Sequence, residues 1–213
     1  MKRHGAKAGP RGREGSVRII GGHWRGTRLP VADSAGLRPT SDRARETLFN
    51  WLQPVLPGAR VLDLFAGSGA LGLEAVSRGA GEALLVERDA RLAQSLQATV
   101  ERLHAGDRVS VARADALALL GAPLQGRFDV VFLDPPFDLG LWEPVLAALA
   151  PWLADDAWLY LESPPERRIE PGAGWRLHRE ARSRDARHAL YRLAGGRAAT
   201  LGRPSDDSAT STP

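Results

Sequence analysis

From Ala59 onward the chain alternates short apolar runs with amphipathic stretches, and this alternation limits the fold more than any other feature. Residues 60–65 (RVLDLF), 83–87, 108–113, 128–134 (FDVVFLD) and 157–162 (AWLYLE) read as strands. Helical patterns follow at about 69–78, 89–103, 116–120 and 141–153. Apolar strands that alternate with helices belong in a mostly parallel sheet covered on both faces. Residues 175–180 and 186–193 read as a closing antiparallel pair. Ligands of such sheets bind beyond the carboxyl ends of the strands, near the switch point. Asp63, Gly67, Ser68, Gly69, Glu87, Asp115 and Asp134 each fall at or just past a predicted strand's carboxyl end. The alternation therefore gathers them at one edge of the sheet.

The segment before Ala59 follows a different pattern. Residues 1–15 are Gly, Ala, Lys and Arg without periodicity and read as a disordered basic arm. Residues 16–58 form an extension. Val17–Ile20 reads as a strand, Gly21-Gly22 as a hairpin turn, and His23–Leu29 as the returning strand. Thr40 or Ser41 can cap a helix through Leu52, with Asp42 in its first turn. Ala44, Leu48, Trp51 and Leu52 recur at helical spacing and predict its buried face. Residues 59–194 form the body, and 195–213 read as a disordered polar tail.

Charge is unevenly placed. Residues 1–50 hold 11 Lys or Arg against four Asp or Glu, whereas the rest holds 18 against 21. A one-sided basic segment suits a polyphosphate partner, because neutralised phosphates release counterions. Arg18, Arg25, Arg38 and Arg43 are candidates to grip such a backbone, with Thr40 beside them. Trp24 can stack on RNA or anchor the hairpin to the body, and Arg45 with Glu46 can form a structural pair or meet substrate. The absence of cysteine excludes disulfides, iron–sulfur clusters and a thiol nucleophile. No two of the five histidines stand at a metal-ligand spacing, so no metal is expected. No apolar run reaches the ~18 residues of a membrane span, and a soluble, cytoplasmic protein is expected.

Gly67-Ser68-Gly69-Ala70-Leu71-Gly72 matches G-x-G-x-x-G, and Glu87 lies 20 residues beyond Gly67. Alone, this pattern fits a nicotinamide dehydrogenase equally well. Asp63 points elsewhere: a carboxylate before the loop repels a pyrophosphate but accepts an amino-acid ammonium. Asp134-Pro135-Pro136-Phe137 is the most informative tetrapeptide. Its prolines stiffen the backbone and lack N–H donors, which leaves a carboxylate and carbonyl acceptors. Such a rim suits a group that donates two hydrogens, an exocyclic amine, and Phe137 offers a ring for a flat base.

These residues carry a resemblance. Asp63–Gly69, Glu87 and Asp134–Phe137, in this order, resemble the class I S-adenosylmethionine-dependent amino-methyltransferases. Val17–Gly22, Trp24–Gly26, Leu37–Thr40 and Asp42–Leu52 narrow it to the bacterial 16S ribosomal RNA guanine-N2 methyltransferases of the small subunit. The likeness runs from about Val17 to Leu193, and residues 182–187 depart from the family pattern. The resemblance implies a Rossmann-like, seven-stranded α/β fold with an antiparallel last strand. It also implies S-adenosyl-L-methionine as methyl donor, and small-subunit ribosomal RNA, within a protein-containing particle, as substrate. In that family the backbone of Gly67 and Gly69 lies along the donor's methionine part, and Phe65, Ala66 and Ser68 belong to the same loop. Asp63 sits near the ammonium, Glu87 accepts the ribose hydroxyls, and Asp115 reaches the adenine amine. Asp134 and the Pro135 carbonyl hold the guanine N2 amine, Pro136 stiffens the corner, and Phe137 stacks on the base. An adenine-N6 or protein-glutamine methyltransferase and a non-catalytic RNA-binding assembly factor remain as alternatives. A hydrolase is disfavoured because alanines flank Ser68 at the positions where G-x-S-x-G needs glycine.

Overall fold

The computed structural model describes residues 15–31, 41–122 and 126–194. The basic arm up to Glu14, the tail from Gly195, and both Arg38 and Thr40 lie outside the described residues. The elements are β1 (Gly15–Arg18), β2 (Arg28–Val31), α1 (Asp42–Leu52), β3 (Arg60–Asp63), α2 (Gly72–Ser77), β4 (Glu82–Val86) and α3 (Ala90–Arg102). They continue with β5 (Val109–Ala112), α4 (Ala116–Leu120), β6 (Phe128–Leu133), α5 (Trp142–Leu149), β7 (Leu153–Ser163), β8 (Trp175–Arg182) and β9 (Arg187–Leu193).

Seven strands form one sheet in the order β5-β4-β3-β6-β7-β9-β8. Strands β3 to β7 run parallel. The last strand, β9, is antiparallel to both its neighbours and lies between β7 and β8. The expected fold is therefore the observed one. Successive strand residues feed opposite cores, as a pleat requires. Val61, Leu85, Val130, Phe132 and Tyr160 join α2 and α3 residues such as Leu73, Leu96 and Val100 on one face. Leu62, Leu84, Val131, Leu133 and Leu161 join Leu119 of α4 and Trp142, Val145 and Leu149 of α5 on the other.

The extension shares the first of these cores. Leu29, Leu48, Phe49 and Leu52 are fully buried there, contributing roughly 1.5–3 kcal/mol each. The Phe49 ring meets Phe132 edge-on at 6.1 Å. Ser41 caps α1 by accepting the Ala44 N–H at 3.2 Å. The buried face of α1 is rotated from the expected one. It comprises Arg45, Leu48, Phe49 and Leu52, with Ala44 and Trp51 only half-buried. An arginine takes a core position here because Asp42, the Arg18 carbonyl and the buried Glu74 surround its guanidinium, which a hydrophobicity pattern does not register.

The hairpin also differs. Strands β1 and β2 pair antiparallel, but Gly21-Gly22 is not a two-residue turn. The connection spans residues 19–27 and docks on the end of α2. His23 N–H donates to the Ser77 carbonyl at 2.8 Å. Ser77 Oγ donates to the Gly21 carbonyl at 2.6 Å and accepts the Trp24 N–H at 2.9 Å. Gly22 has φ +74°, and a Cβ there would lie 1.8 Å from the Ser77 carbonyl oxygen. The glycines thus allow the backbone to press against α2.

Candidate functional site

Chain order reverses between β3 and β6, which lie side by side with Asp63 beside Phe132. Their carboxyl ends carry the glycine loop and the Asp134 corner, so the fold sets the two motifs next to each other at the switch point.

Asp63 ends β3 and is almost fully buried. Its Oδ2 accepts the Gly72 N–H at 3.1 Å, which ties the strand to the start of α2. Burial pushes its pKa up to about 7, against the lowering effect of hydrogen bonds from Gly72 and Phe65, and the nearby Glu87 charge adds to the rise. The sequence placed this carboxylate near a ligand's ammonium, directly or through water; in the structure it is buried and braces the backbone at the start of α2. A Cβ on Gly72 would meet Leu85 Cδ2 at 2.1 Å, so any larger residue there would push the buried Leu85 side chain aside.

In the loop, the Ala66 N–H reaches the Val86 carbonyl at 2.9 Å and the Gly69 N–H reaches the Ala66 carbonyl at 2.7 Å. Ala66 and Gly69 are buried, whereas Phe65, Gly67 and Ser68 are half-buried. Gly67 has φ +52°, and a Cβ built on it would have no atom within 4 Å. The backbone there faces open space, as a cradle for a ligand's chain would. Glu87 lies just past β4. Its Oε2 accepts the Gly67 N–H at 3.0 Å and its Oε1 the Asp89 N–H at 2.8 Å. Each oxygen keeps a lone pair for a further donor. Asp115 is exposed past β5 and caps α4, its Oδ1 accepting the Leu117 and Ala118 N–H groups at 2.9 and 3.1 Å.

At the other half of the site Asp134 is half-buried, Pro135 buried, Pro136 exposed and Phe137 half-buried. Phe137 leans on Trp142 at 5.8 Å, with the planes inclined by 41°. Trp142 is fixed in turn by donating to the Glu162 carbonyl at 2.8 Å. Behind Asp134 stands a buried polar group that the sequence reading missed. Tyr160 Oη donates to Glu162 Oε2 at 2.8 Å and lies 2.8 Å from His188 Nδ1. Burial raises the Tyr160 pKa well above its ordinary value, and the Glu162 and Asp134 charges add to this. A Tyr-x-Glu pair at the carboxyl end of an apolar strand was the available signal.

The cationic candidates divide. Arg18, Arg25 and Arg43 are exposed on the extension, and Arg18 lies 3.6 Å from Asp42. Trp24 is buried with Arg108 over its ring at 5.4 Å, so it anchors the loop to the body. Arg45 does not pair with Glu46. It is fully buried, donates to Asp42 Oδ1 at 2.7 Å and to the Arg18 carbonyl at 2.8 Å, and stands 3.7 Å from Glu74. Glu74, also fully buried, accepts the Ile20 and Gly21 N–H groups at 2.6 and 2.7 Å and Arg78 at 2.6 Å. Among the described residues no three His, Cys, Asp or Glu side chains gather as metal ligands, and no helix is long and apolar enough to cross a membrane.

A seven-stranded sheet with its antiparallel last strand inserted beside the edge, and with this loop and these acids at the switch point, is the Rossmann-like fold of methyltransferases. TrmN from Thermus thermophilus shares the fold at TM-score 0.59 and 20% identity, covering 76% of this chain and 51% of that one. The chain belongs to the family described as Conserved hypothetical protein 95, whose model matches residues 17–192. It is similar to Ribosomal RNA small subunit methyltransferase D of Escherichia coli strain K12, with 49% identity over 183 residues, 83% of this chain and 90% of that one. The solved structure of Escherichia coli yhhF matches with TM-score 0.76 and 46% identity, covering 84% of this chain and 98% of that one. The family resemblance carried by the extension and the two motifs is borne out.

Proposed function

We propose that the chain methylates the exocyclic N2 amine of a guanine in small-subunit ribosomal RNA, with S-adenosylmethionine as donor. One observation carries the reading: a carboxylate and a donor-free Pro-Pro backbone end the strand adjacent to an open glycine loop. Similarity to an enzyme named for small-subunit ribosomal RNA methylation supports the substrate class.

The residues fit the donor. Gly67 leaves room for its methionine part, the remaining Glu87 lone pairs suit the two ribose hydroxyls, and the exposed Asp115 suits the adenine amine. When bound, S-adenosylmethionine supplies a methyl group already activated on sulfur. The chain's own task is alignment. A base amine is a weak nucleophile because its lone pair delocalises into the ring. Asp134 and the Pro135 carbonyl accept its two hydrogens and turn that lone pair toward the donor side. Phe137, propped by Trp142, holds the plane of the unstacked base.

Incubation with labelled S-adenosylmethionine and ribosomal particles lacking the modification, followed by mass mapping, should find N2-methylguanosine in small-subunit RNA. Label on adenosine or on protein would overturn the substrate. Asp134→Ala should lower transfer at least 100-fold while donor affinity, measured by calorimetry, changes less than about threefold; this is the order of loss expected when a group acting on the reacting atom is removed.

A further inference from the structure

Strand register carries two rows of side chains across the face that α1 covers over β6. One row runs Phe132, Tyr160, Leu190, Arg179, and the other Val130, Trp158, Arg192, Arg176. Both begin in the core and end on β8 in exposed arginines. Between them His178 sits at an irregularity in the β8–β9 pairing and sets its ring edge-on against Trp158 at 4.9 Å. Arg192 covers the Trp158 ring from 5.6 Å. The turn into β9 adds Arg184, also exposed. That turn is stiff: Ser183 N–H donates to the Ala186 carbonyl at 2.8 Å, and Ser183 Oγ accepts the Ala186 N–H at 3.0 Å.

Among the described residues Arg176, Arg179 and Arg184 have no carboxylate partner. The acids nearby are otherwise engaged: Glu180 holds Arg182 and Arg187, Asp156 lies 3.9 Å from Arg192, and Asp185 already has a partner. Burial, with the charges of Arg179 and Arg192, lowers the proton affinity of His178, as a locally positive surface should. Strand β8 runs in the same direction as β6, so Arg184 reaches the sheet edge that holds Asp134. Three strand spacings, about 14 Å, separate the two ends. A short run of substrate chain beyond the base site crosses that distance.

We propose that Arg184, Arg179 and Arg176 form a second track for RNA phosphates, leading from the base site down the β8 edge of the sheet. The track fits phosphate, because it presents guanidinium groups while the Trp158 ring within it is covered by Arg192 and met edge-on by His178. The inference rests on the RNA-methylating reading above and extends it to the path of the substrate.

The test measures affinity for transcribed small-subunit ribosomal RNA at several salt concentrations, and KM for methyl transfer to particles lacking the modification. Arg176→Thr/Arg179→Thr/Arg184→Thr should flatten the salt dependence by about two log units per log unit of salt, since each lost phosphate contact removes ~0.7–0.9. It should also raise KM about tenfold or more while kcat and donor affinity hold. Threonine suits an exposed strand, and unchanged donor affinity reports an intact fold. Replacing the same three residues by lysine should restore most of the salt dependence. Unchanged slope and KM in the threonine variant would overturn this inference alone. So would losing affinity for anionic vesicles with RNA binding intact. A wild-type chain that methylates no ribosomal RNA would remove the parent reading and this one together.

Discussion

Burial holds Asp63 half-protonated near neutrality, and this one carboxyl makes stability depend on pH in an unusual direction. Between its ordinary value of 3.8 and about 7 the folded chain keeps a proton that the unfolded chain has lost. Stability from this group is therefore complete below about pH 4 and declines as pH rises through 7. Asp63→Asn should flatten that decline, so its advantage over wild type in urea unfolding grows between pH 5 and pH 8, on the order of a few kcal/mol. A constant difference across that window would refute the placement of the shift in Asp63. The positions of Asp63, Glu87, Asp115 and Asp134 were legible because strand ends can be read from apolar runs. Which of them would be covered was not. A strand end reads the same whether the following loop folds over it, as at Asp63, or away from it, as at Asp115.

At the scale of elements, α2 is the attachment point for everything N-terminal to the body. Its Glu74 answers two backbone N–H groups of the β1–β2 connection and two arginines from inside the core. Removing a buried partner strands the remaining charge, which costs more than the pair contributes. Glu74→Ala should lose roughly 3–5 kcal/mol, and Glu74→Gln, which keeps one acceptor, less; urea midpoints at constant slope measure both. The helix over 42–52 was readable from its cap and its spacing. The docking of the hairpin was not, because Gly21-Gly22 carries the same signal for a tight turn as for a close approach, and only the partner's position separates them. Arg45 misled for a related reason: a single-chain hydrophobicity pattern cannot see the acid that makes a buried arginine affordable.

For the molecule as a whole, the compositional break near Ala59 does not mark a break in packing. Ile19, Trp24, Leu29, Leu48 and Phe49 belong to the same core as Val61 and Phe132. Unfolding should therefore be one transition, with Trp24 and Trp142 as coincident fluorescence probes when each is left as the only tryptophan. Separate midpoints would show that the extension melts alone. Strand–helix alternation was enough to foresee a parallel sheet, but not the place of its final strand. An antiparallel closing pair can join the sheet through either member; the family resemblance gave only that the last strand is antiparallel, and the structure seats β9 between β7 and β8. That choice has a consequence for synthesis. Residues 158–163 of β7 have their outer neighbour made after all the parallel strands, so a ribosome that has not yet released residues 187–193 holds a chain whose apolar Trp158–Leu161 run is an unpaired margin. Until those seven residues emerge, the growing polypeptide is most exposed to sticking to its neighbours, and it is then that a chaperone has most to shield.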